Sequence, residues 1–276
     1  ESKTDYDIFA AIAEKLGKGK EFTEGKSEMD WIKSFYDAAL TQAKAKKYPM
    51  PDFDTFWKGT GVVEFAITEG KSFVRHGKFR EDPLLNPLGT PSGKIEIYSK
   101  NIEKMGYDDC GPHPMWYEPV ERVGGPTTKY KLAINTAHPK SRLHSQLCGT
   151  SLRETYAISG REPCLINTKD AAARGIKDGA VVRVFNDRGQ ILAGAKVTDA
   201  IRPGVVRVNE GGWYDPVEAG KPNTLCRWGD VNVLTVDMGT SKLGQGNCGH
   251  TAVGEVEKYT GPAVPTGAFV APKGAA

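Results

Sequence analysis

Lys177-Asp-Gly-Ala-Val-Val-Arg-Val-Phe-Asn-Asp-Arg-Gly-Gln-Ile-Leu-Ala-Gly-Ala-Lys-Val197 decides the fold. Lys177 to Gly179 reads as a turn into a strand, Val181 to Phe185. Asn186-Asp-Arg-Gly189 is a hairpin turn, and Gln190 to Val197 is the returning strand. Working outward, Asp170 to Arg174 predicts a short helix ended by Gly175. Tyr130 to Asn135, Val205 to Asn209 and Val253 to Lys258 predict further strands, as does the period-two alternation of Lys94-Ile-Glu-Ile-Tyr-Ser99. Short strands separated by tight turns, with one interrupting helix, predict a closed six-stranded barrel in a mainly β, α+β chain. Gly111 to Pro126, rich in Pro and Gly, reads as a surface linker leading into it.

The first third has a different texture. Thr4 and Asp5 can cap a helix from Tyr6 to about Leu16, with Ile8, Phe9, Ile12, Ala13 and Leu16 on one face and Gly17 at its end. A second helix spans about Ser27 to Ala45, opened by a capping box of Ser27 with Asp30. Its apolar stripe is Trp31, Ile32, Phe35, Tyr36, Ala39 and Leu40. Both faces need something to dock against. Residues 46–94 are loop-rich, broken by Pro49, Pro51, Pro83, Pro87 and Pro91. The tail from Gly261 to Ala276 is Pro-, Gly- and Ala-rich and is expected to wrap the surface or fray.

Composition excludes several classes. The net charge of +3, from 37 basic against 34 acidic residues, gives no field of one sign. Nucleic acid is therefore not an expected partner. The longest apolar runs, such as Gly61 to Ile67, fall far short of the ~20 residues that cross a bilayer. The cysteines 110, 148, 164, 226 and 248 lie far apart with no Cys-x-x-Cys pair, against a disulfide framework or a zinc or iron–sulfur site. Each reads as a small buried hydrophobe. Glu1 is not an initiator, and no leader-like segment follows it. The opening already reads as a helix interior to a domain, so a fragment is expected.

Three polar, turn-rich segments point to one large cofactor. They are Asn135-Thr-Ala-His-Pro-Lys-Ser-Arg-Leu-His-Ser-Gln146, Arg161-Glu-Pro-Cys-Leu-Ile-Asn-Thr-Lys-Asp170, and Asp230-Val-Asn-Val-Leu-Thr-Val-Asp-Met-Gly-Thr-Ser-Lys242 with Gly244 to His250. A strand emptying into a loop of two His, one Arg, Ser and Gln is not built to fill a core, because such groups are costly to bury unpaired. Arg142 suits phosphate through its planar fork. His144, Ser145 and Gln146 offer donors and acceptors in a row. The plain alternative is a surface loop whose His residues cap strand ends. Asn232 is an amide in an apolar run where a strand would prefer a hydrophobe; a turn Asn after Gly229 and Asp230 is its plain alternative.

These segments, with Gly89-Thr-Pro-Ser-Gly-Lys-Ile-Glu96, resemble the C-terminal part of the molybdopterin oxidoreductases that carry two molybdopterin guanine dinucleotides. Met105-Gly-Tyr-Asp-Asp-Cys110, Arg142 to Gln146 and Val184-Phe-Asn-Asp-Arg-Gly-Gln-Ile191 make the chain similar to the dimethyl sulfoxide and trimethylamine N-oxide reductase subgroup. The resemblance implies a double-psi barrel at 121–276 that binds the bis(molybdopterin guanine dinucleotide) molybdenum cofactor. It implies that residues 1–120 are the C-terminal remnant of neighbouring α/β domains. The cofactor-lining residues it implies are Thr136, Ala137, His138, Pro139, Arg142, His144, Ser145, Gln146, Asn232, Gly249 and His250. Asp5 lies where a nucleotide-contacting acid is expected, although a capping role explains it equally well.

The implied activity is removal of oxygen from S-oxides or N-oxides by two-electron oxygen-atom transfer, in the periplasm. The implied partners are the N-terminal remainder of the enzyme and a c-type cytochrome electron donor. The serine that ligates the metal and the aromatic residues around it lie well N-terminal in the family. No residue here is therefore assigned as catalytic or as a metal ligand. The same domain of a formate dehydrogenase or nitrate reductase, or a non-catalytic nucleotide-binding barrel, remains the alternative.

Other motifs fail on context. Gly244-Gln-Gly-Asn-Cys-Gly249 spells a dinucleotide fingerprint, but a β-like Thr251 to Val256 follows it in place of a helix. Gly25-Lys-Ser27 and Gly70-Lys-Ser72 echo a Walker A without its earlier glycine, Lys20 and Phe65 standing there. His76 and His113 have no metal-spaced partner and read as structural.

Overall fold

The computed structural model describes residues 2–65, 73–126, 128–267, 269 and 270. Ile67, Gly70-Lys-Ser72 and the tail beyond Val270 lie outside the described residues. The chain divides into two compact units, Glu1–Ile95 and Glu96–Ala276. Among the described residues no helix is long and apolar enough to cross a membrane.

The first unit carries α1 (Asp5–Lys15), α2 (Gly19–Thr23), α3 (Glu28–Ala45), α4 (Phe53–Lys58) and α5 (Gly77–Glu81). Thr4 is the cap of α1, its hydroxyl accepting from the Asp7 amide at 3.2 Å. Asp5 instead opens the helix, where an acid is favoured by the dipole. The capping box of α3 is complete: Ser27 Oγ accepts from the Asp30 amide, and the Asp30 carboxylate accepts from the Ser27 amide. Those Ser27 bonds hold the Asp30 carboxyl below its ordinary range. Tyr36 is the centre of a small aromatic cluster, 4.7 Å from Phe56 and 5.5 Å from Phe53. Its hydroxyl donates to the Pro51 carbonyl at 2.8 Å. The stripe of α1 does not find such cover: Ile8, Phe9, Ile12 and Leu16 are all exposed.

The second unit opens with α6 (Lys100–Met105), capped by Ser99. Lys94 to Ser99 is not a strand. Its alternation assigns faces, but no ladder forms there among the described residues, and Ile95 and Ile97 stay exposed. A strand needs a partner as well as a pattern.

The barrel strands are β1 (Leu132–Asn135), β2 (Pro163–Ile166), β3 (Val181–Phe185), β4 (Gln190–Val197), β5 (Val205–Val208), β6 (Leu225–Cys226) and β7 (Val253–Lys258). They lie in the order β2-β5-β1-β7-β3-β4-β6, and pairing of β2 with β4 closes the first six into a ring. β6 is an added strand beside β4. β1 runs parallel to β5 (Ala133 opposite Val205) and β2 parallel to β4 (Pro163 opposite Gly194); the other pairs within the ring are antiparallel. The predicted Asn186–Gly189 turn is present, with the Asn186 amide donating to the Gly189 carbonyl. This is the closed six-stranded barrel that the strand pattern predicts, of the double-psi type that the resemblance implies.

Alternation along β3, Val182 and Val184 in and Arg183 out, supplies the core with Leu132, Ile134, Ile166, Ile191 and Val206. Full burial of each such side chain contributes roughly 1.5–3 kcal/mol. α7 (Thr168–Ala173) starts earlier than Asp170 because Asn167 Oδ1 caps it, accepting from the Lys169 amide. Cys148, Cys164 and Cys226 are fully buried hydrophobes, and burial pushes the Cys164 thiol up to about 12. The tail wraps as far as it is described. Gly267 donates its amide to Asp215, Arg161 donates to the Val264 carbonyl, and the Phe269 ring lies 4.5 Å from that of Trp228.

Candidate functional site

β1 ends at Asn135, and the chain then leaves the barrel through the loop that begins Thr136-Ala-His. A cleft of about 450 Å3 opens there. Thr136, His138 and His144 line it from this loop, Asn232 and Thr235 to Asp237 from the third polar segment, and Asn247, Gly249 and His250 from the glycine-rich one. Glu210 completes it from the end of β5. Six of the residues the sequence singles out, Thr136, His138, His144, Asn232, Gly249 and His250, thus share one cavity.

The parallel pairing of β1 with β5 explains Glu210. Asn135 is opposite Arg207, so the two strands end side by side and their loops face each other. The Glu210 amide donates to the Ala137 carbonyl at 3.2 Å, and Arg207 donates to the His138 carbonyl at 3.1 Å. Within the cleft Thr136 Oγ1 lies 3.2 Å from His250 Nδ1, and His144 Nδ1 lies 3.2 Å from Glu210 Oε2. The backbone at His144 is left-handed, with φ of +49°. Gly211, also left-handed, packs so tightly there that a Cβ would stand 2.1 Å from the His144 carbonyl oxygen. Only glycine meets both demands.

Asn232 does not lie in a strand. Gly229 has φ of +117°, Asp230 caps, and Val231–Leu234 forms a 3-10 turn that leaves the Asn232 side chain exposed at the cleft. Asp230 Oδ1 accepts from the Asn232 amide at 3.1 Å. Burial pushes the Asp230 carboxyl up to about 6, against that hydrogen bond.

Arg142 requires a correction. It does not present a charge to the cleft; its side chain is 1% exposed. Nη1 donates to Glu162 at 2.5 Å, Nε to the His144 carbonyl at 3.0 Å and Nη2 to the Glu210 carbonyl at 2.6 Å. The guanidinium ties together the two backbones that carry His144 and Glu210. Glu162 is itself fully buried, and burial pushes its carboxyl up to about 7 although Arg142 opposes the shift. The Tyr156 hydroxyl beside them is raised to about 12, by burial first and Glu162 second.

Ala137, Pro139, Ser145 and Gln146 do not line the cleft. The carbonyls of Ala137 and Ser145 are used to fix the loop, the latter accepting from Trp213 Nε1 at 3.0 Å. Asp5 belongs to the first unit and is exposed on α1. Sequence reasoning missed Glu210, Thr235, Val236, Asp237 and Asn247 as individual residues. All but Glu210 lie in segments it flagged.

Chemically the cleft offers hydroxyls, carboxamides, imidazoles and two carboxylates around polar backbone. That set matches the amide-like edges of a pterin or a purine, which present donors and acceptors together.

Residues 132–253 match the family described as Molydopterin dinucleotide binding domain. The whole chain is 67% identical over 275 residues to the dimethyl sulfoxide/trimethylamine N-oxide reductase of Rhodobacter capsulatus, covering 33% of that protein. It is 65% identical to the enzyme of the same name from Cereibacter sphaeroides, again covering 33%. Identity to the trimethylamine-N-oxide reductase of Haemophilus influenzae is 53%, over 99% of the chain and 33% of the relative. The chain therefore spans about a third of the length of these curated relatives. In fold it is similar to acetylene hydratase from Pelobacter acetylenicus, with a TM-score of 0.63 at 21% identity over 94% of the chain and 33% of that protein. Residues 132–253 thus belong to the Molydopterin dinucleotide binding domain family, and the chain as a whole is similar along its entire length to about a third of the dimethyl sulfoxide/trimethylamine N-oxide reductases.

Proposed function

We propose that this chain is the cofactor-clamping portion of a periplasmic reductase of S-oxides and N-oxides, with residues 121–276 as the binding domain and residues 1–120 as the end of the neighbouring domains. One observation supports the reading above others: Thr136, His138, His144, Asn232, Gly249 and His250, drawn from three separate segments, line a single polar cleft. The donor set there fits a molybdopterin guanine dinucleotide. Asn232 and Asn247 would read the carboxamide-like edges, and Thr136 and His250 would hold the mouth on the β1 side. When bound, that group supplies molybdenum for two-electron oxygen-atom transfer.

The chain's own residues bind and orient. Arg142, paired with the buried Glu162, ties the His144 and Glu210 backbones together through their carbonyls and so fixes this side of the cleft. The N-terminal remainder of the enzyme would provide the metal ligand, and a c-type cytochrome the electrons. The test uses the intact enzyme that contains this chain. Purified protein is assayed for molybdenum and for guanine nucleotide released on denaturation, and for reduction of dimethyl sulfoxide and trimethylamine N-oxide by reduced methyl viologen. Paired loss of molybdenum and nucleotide in an Asn232→Ala, His250→Ala variant that melts like the parent is the expected result. An enzyme free of molybdenum and nucleotide, or a variant fully loaded with both, would sink the proposal.

A further inference from the structure

We propose that residues 262–269 form a strap that locks the two loops framing the cleft, with Phe269 as its positioning residue. Pro262 and Pro265 have no amide to give to a ladder, so this segment is poorly suited to extend the sheet. It offers carbonyls instead. The Pro262 carbonyl accepts from the Tyr259 hydroxyl at 3.1 Å, that of Val264 from Arg161, and that of Pro265 from Arg227 at 3.4 Å. One Asp215 oxygen accepts from the Gly267 amide and the other from Arg227, each at 2.7 Å. Gly267 lies against that guanidinium, and a Cβ there would stand 2.8 Å from Arg227 Nη2. Arg161 and Asp215 are both buried, at 8% and 3% exposure. Buried charged groups need partners, so these two fasten the strap to the barrel.

Phe269 then sits in a slot made by three side chains. Its ring stacks on Trp213 at 5.8 Å, meets the buried Trp228 edge-on at 4.5 Å, and lies 4.0 Å from the Arg153 guanidinium. Two of these neighbours belong to the loops that carry the cleft. Arg153 stands in the 3-10 turn Ser151–Thr155, on the continuation of the Thr136–Gln146 loop, and donates to the Thr150 carbonyl at 3.1 Å. Trp213 follows Glu210 by way of Gly211 and Gly212. It donates Nε1 to the Ser145 carbonyl at 3.0 Å, and a Cβ on Gly149 would stand 2.7 Å from its ring. Trp213 is thus a brace between the two loops that deliver His144 and Glu210, and Phe269 wedges that brace against Trp228. No strap residue lines the cleft. The strap therefore governs how long the cofactor is held, through the mobility of the loops, and not what the cleft recognises. This inference rests on the dinucleotide reading of the cleft.

The test uses the intact enzyme that contains this chain, as the parent and as Phe269→Ala, Phe269→Tyr and Trp213→Phe. Retained molybdenum and guanine nucleotide are followed over time after dilution, well below melting. Hydrogen exchange is read on the Gln146, Cys148 and Thr150 amides, which bond within the braced loop. Phe269→Ala should release cofactor roughly tenfold faster, with those amides exchanging faster and the β3–β4 amides unchanged. Phe269→Tyr keeps the ring and should restore the parent rate. Trp213→Phe keeps a stacked ring but loses the bond to Ser145, and should also release faster. Adding Phe269→Ala to it should then change little, because both act through one brace. Release from Phe269→Ala at the parent rate, no rescue by Phe269→Tyr, or effects that multiply in full in the double variant overturns the proposal. So does loosening of the β3–β4 amides, which would make the strap a support of the whole barrel. A parent free of molybdenum and nucleotide sinks the dinucleotide reading instead. Loop exchange then decides the brace alone, faster in Phe269→Ala upholding it and unchanged overturning it.

Discussion

The two units solve the burial problem differently. In the barrel, Ile134, Ile166, Val182, Val184, Ile191 and Val206 are at most 1% exposed, and the ring of strands leaves each of them neighbours on every side. In the helical unit, α1 has well-formed caps and an apolar stripe, yet Leu16 is 72% exposed and α1 has no buried residue. Local rules therefore suffice to form a helix but not to cover it. The barrel is a core that closes on itself. The helices rest on their own turns and on the small cluster around Tyr36, and among the described residues they leave apolar surface exposed. Self-association and uptake of an apolar dye by the chain expressed as it stands are the expected consequences. A monodisperse chain that binds no dye would show that these faces are covered by residues of the chain itself.

The largest expected effect tests the barrel side of that contrast. Arg142→Ala leaves Glu162 buried without its partner and should cost about 3–5 kcal/mol, read from denaturant unfolding. Replacing the pair by Met and Leu should restore most of that loss, because a buried pair is weak net stabilisation although half of one is a liability. Equal losses for the single and double variants would mean that the carbonyl bonds to His144 and Glu210, and not the charge on Glu162, carry the cost.

Core truncation sharpens the comparison directly. Ile191→Ala in the barrel should cost about 2–5 kcal/mol, whereas Ile12→Ala on α1 should stay within ~0.5 kcal/mol in the same chain. Similar penalties at both positions would show that the α1 stripe is packed in solution.

How much of this was legible depends on range. The β3–β4 hairpin was readable because pattern and turn chemistry lie within one short stretch, and the capping box of α3 for the same reason. The parallel pairs were not. β1 and β5 are joined by register alone across a long intervening stretch, and that pairing delivers Glu210 to the cleft. Arg142 was misread because its partner, Glu162, looked like one more polar residue in a loop-like segment. Nothing local says that both are buried. Lys94 to Ser99 failed in the opposite sense, a clean alternation with no partner strand among the described residues. α2, α4 and α5 are too short to show a period.

Asp230 gives a pH test of the turn that carries Asn232 to the cleft. Its carboxyl stands at about 6 in the fold against an ordinary 3.8 because burial disfavours the charged form. With the folded value raised, its contribution to stability is full below about 3.8 and is lost as pH rises through about 6. Asp230→Asn keeps an oxygen to accept from the Asn232 amide and carries no charge. It should match the parent near pH 4 and exceed it by roughly 3 kcal/mol at pH 8. A difference that does not change with pH would place Asp230 in contact with water.

The smallest effect probes what holds the helical unit. With no buried residue on α1 and only Tyr36 and Ala43 buried on α3, turns and caps supply a large share of this unit's stability, and the Ser27–Asp30 box is the most complete of these. Ser27→Ala removes the acceptor for the Asp30 amide and one of the donors to the Asp30 carboxylate, and should cost about 1 kcal/mol. Because the barrel folds around a separate core, that loss should appear in hydrogen exchange of the α3 amides and leave the β3–β4 amides unchanged. Equal loosening of both would mean that the two units unfold as one, and the contrast drawn between a closed core and capped helices would then describe packing but not stability.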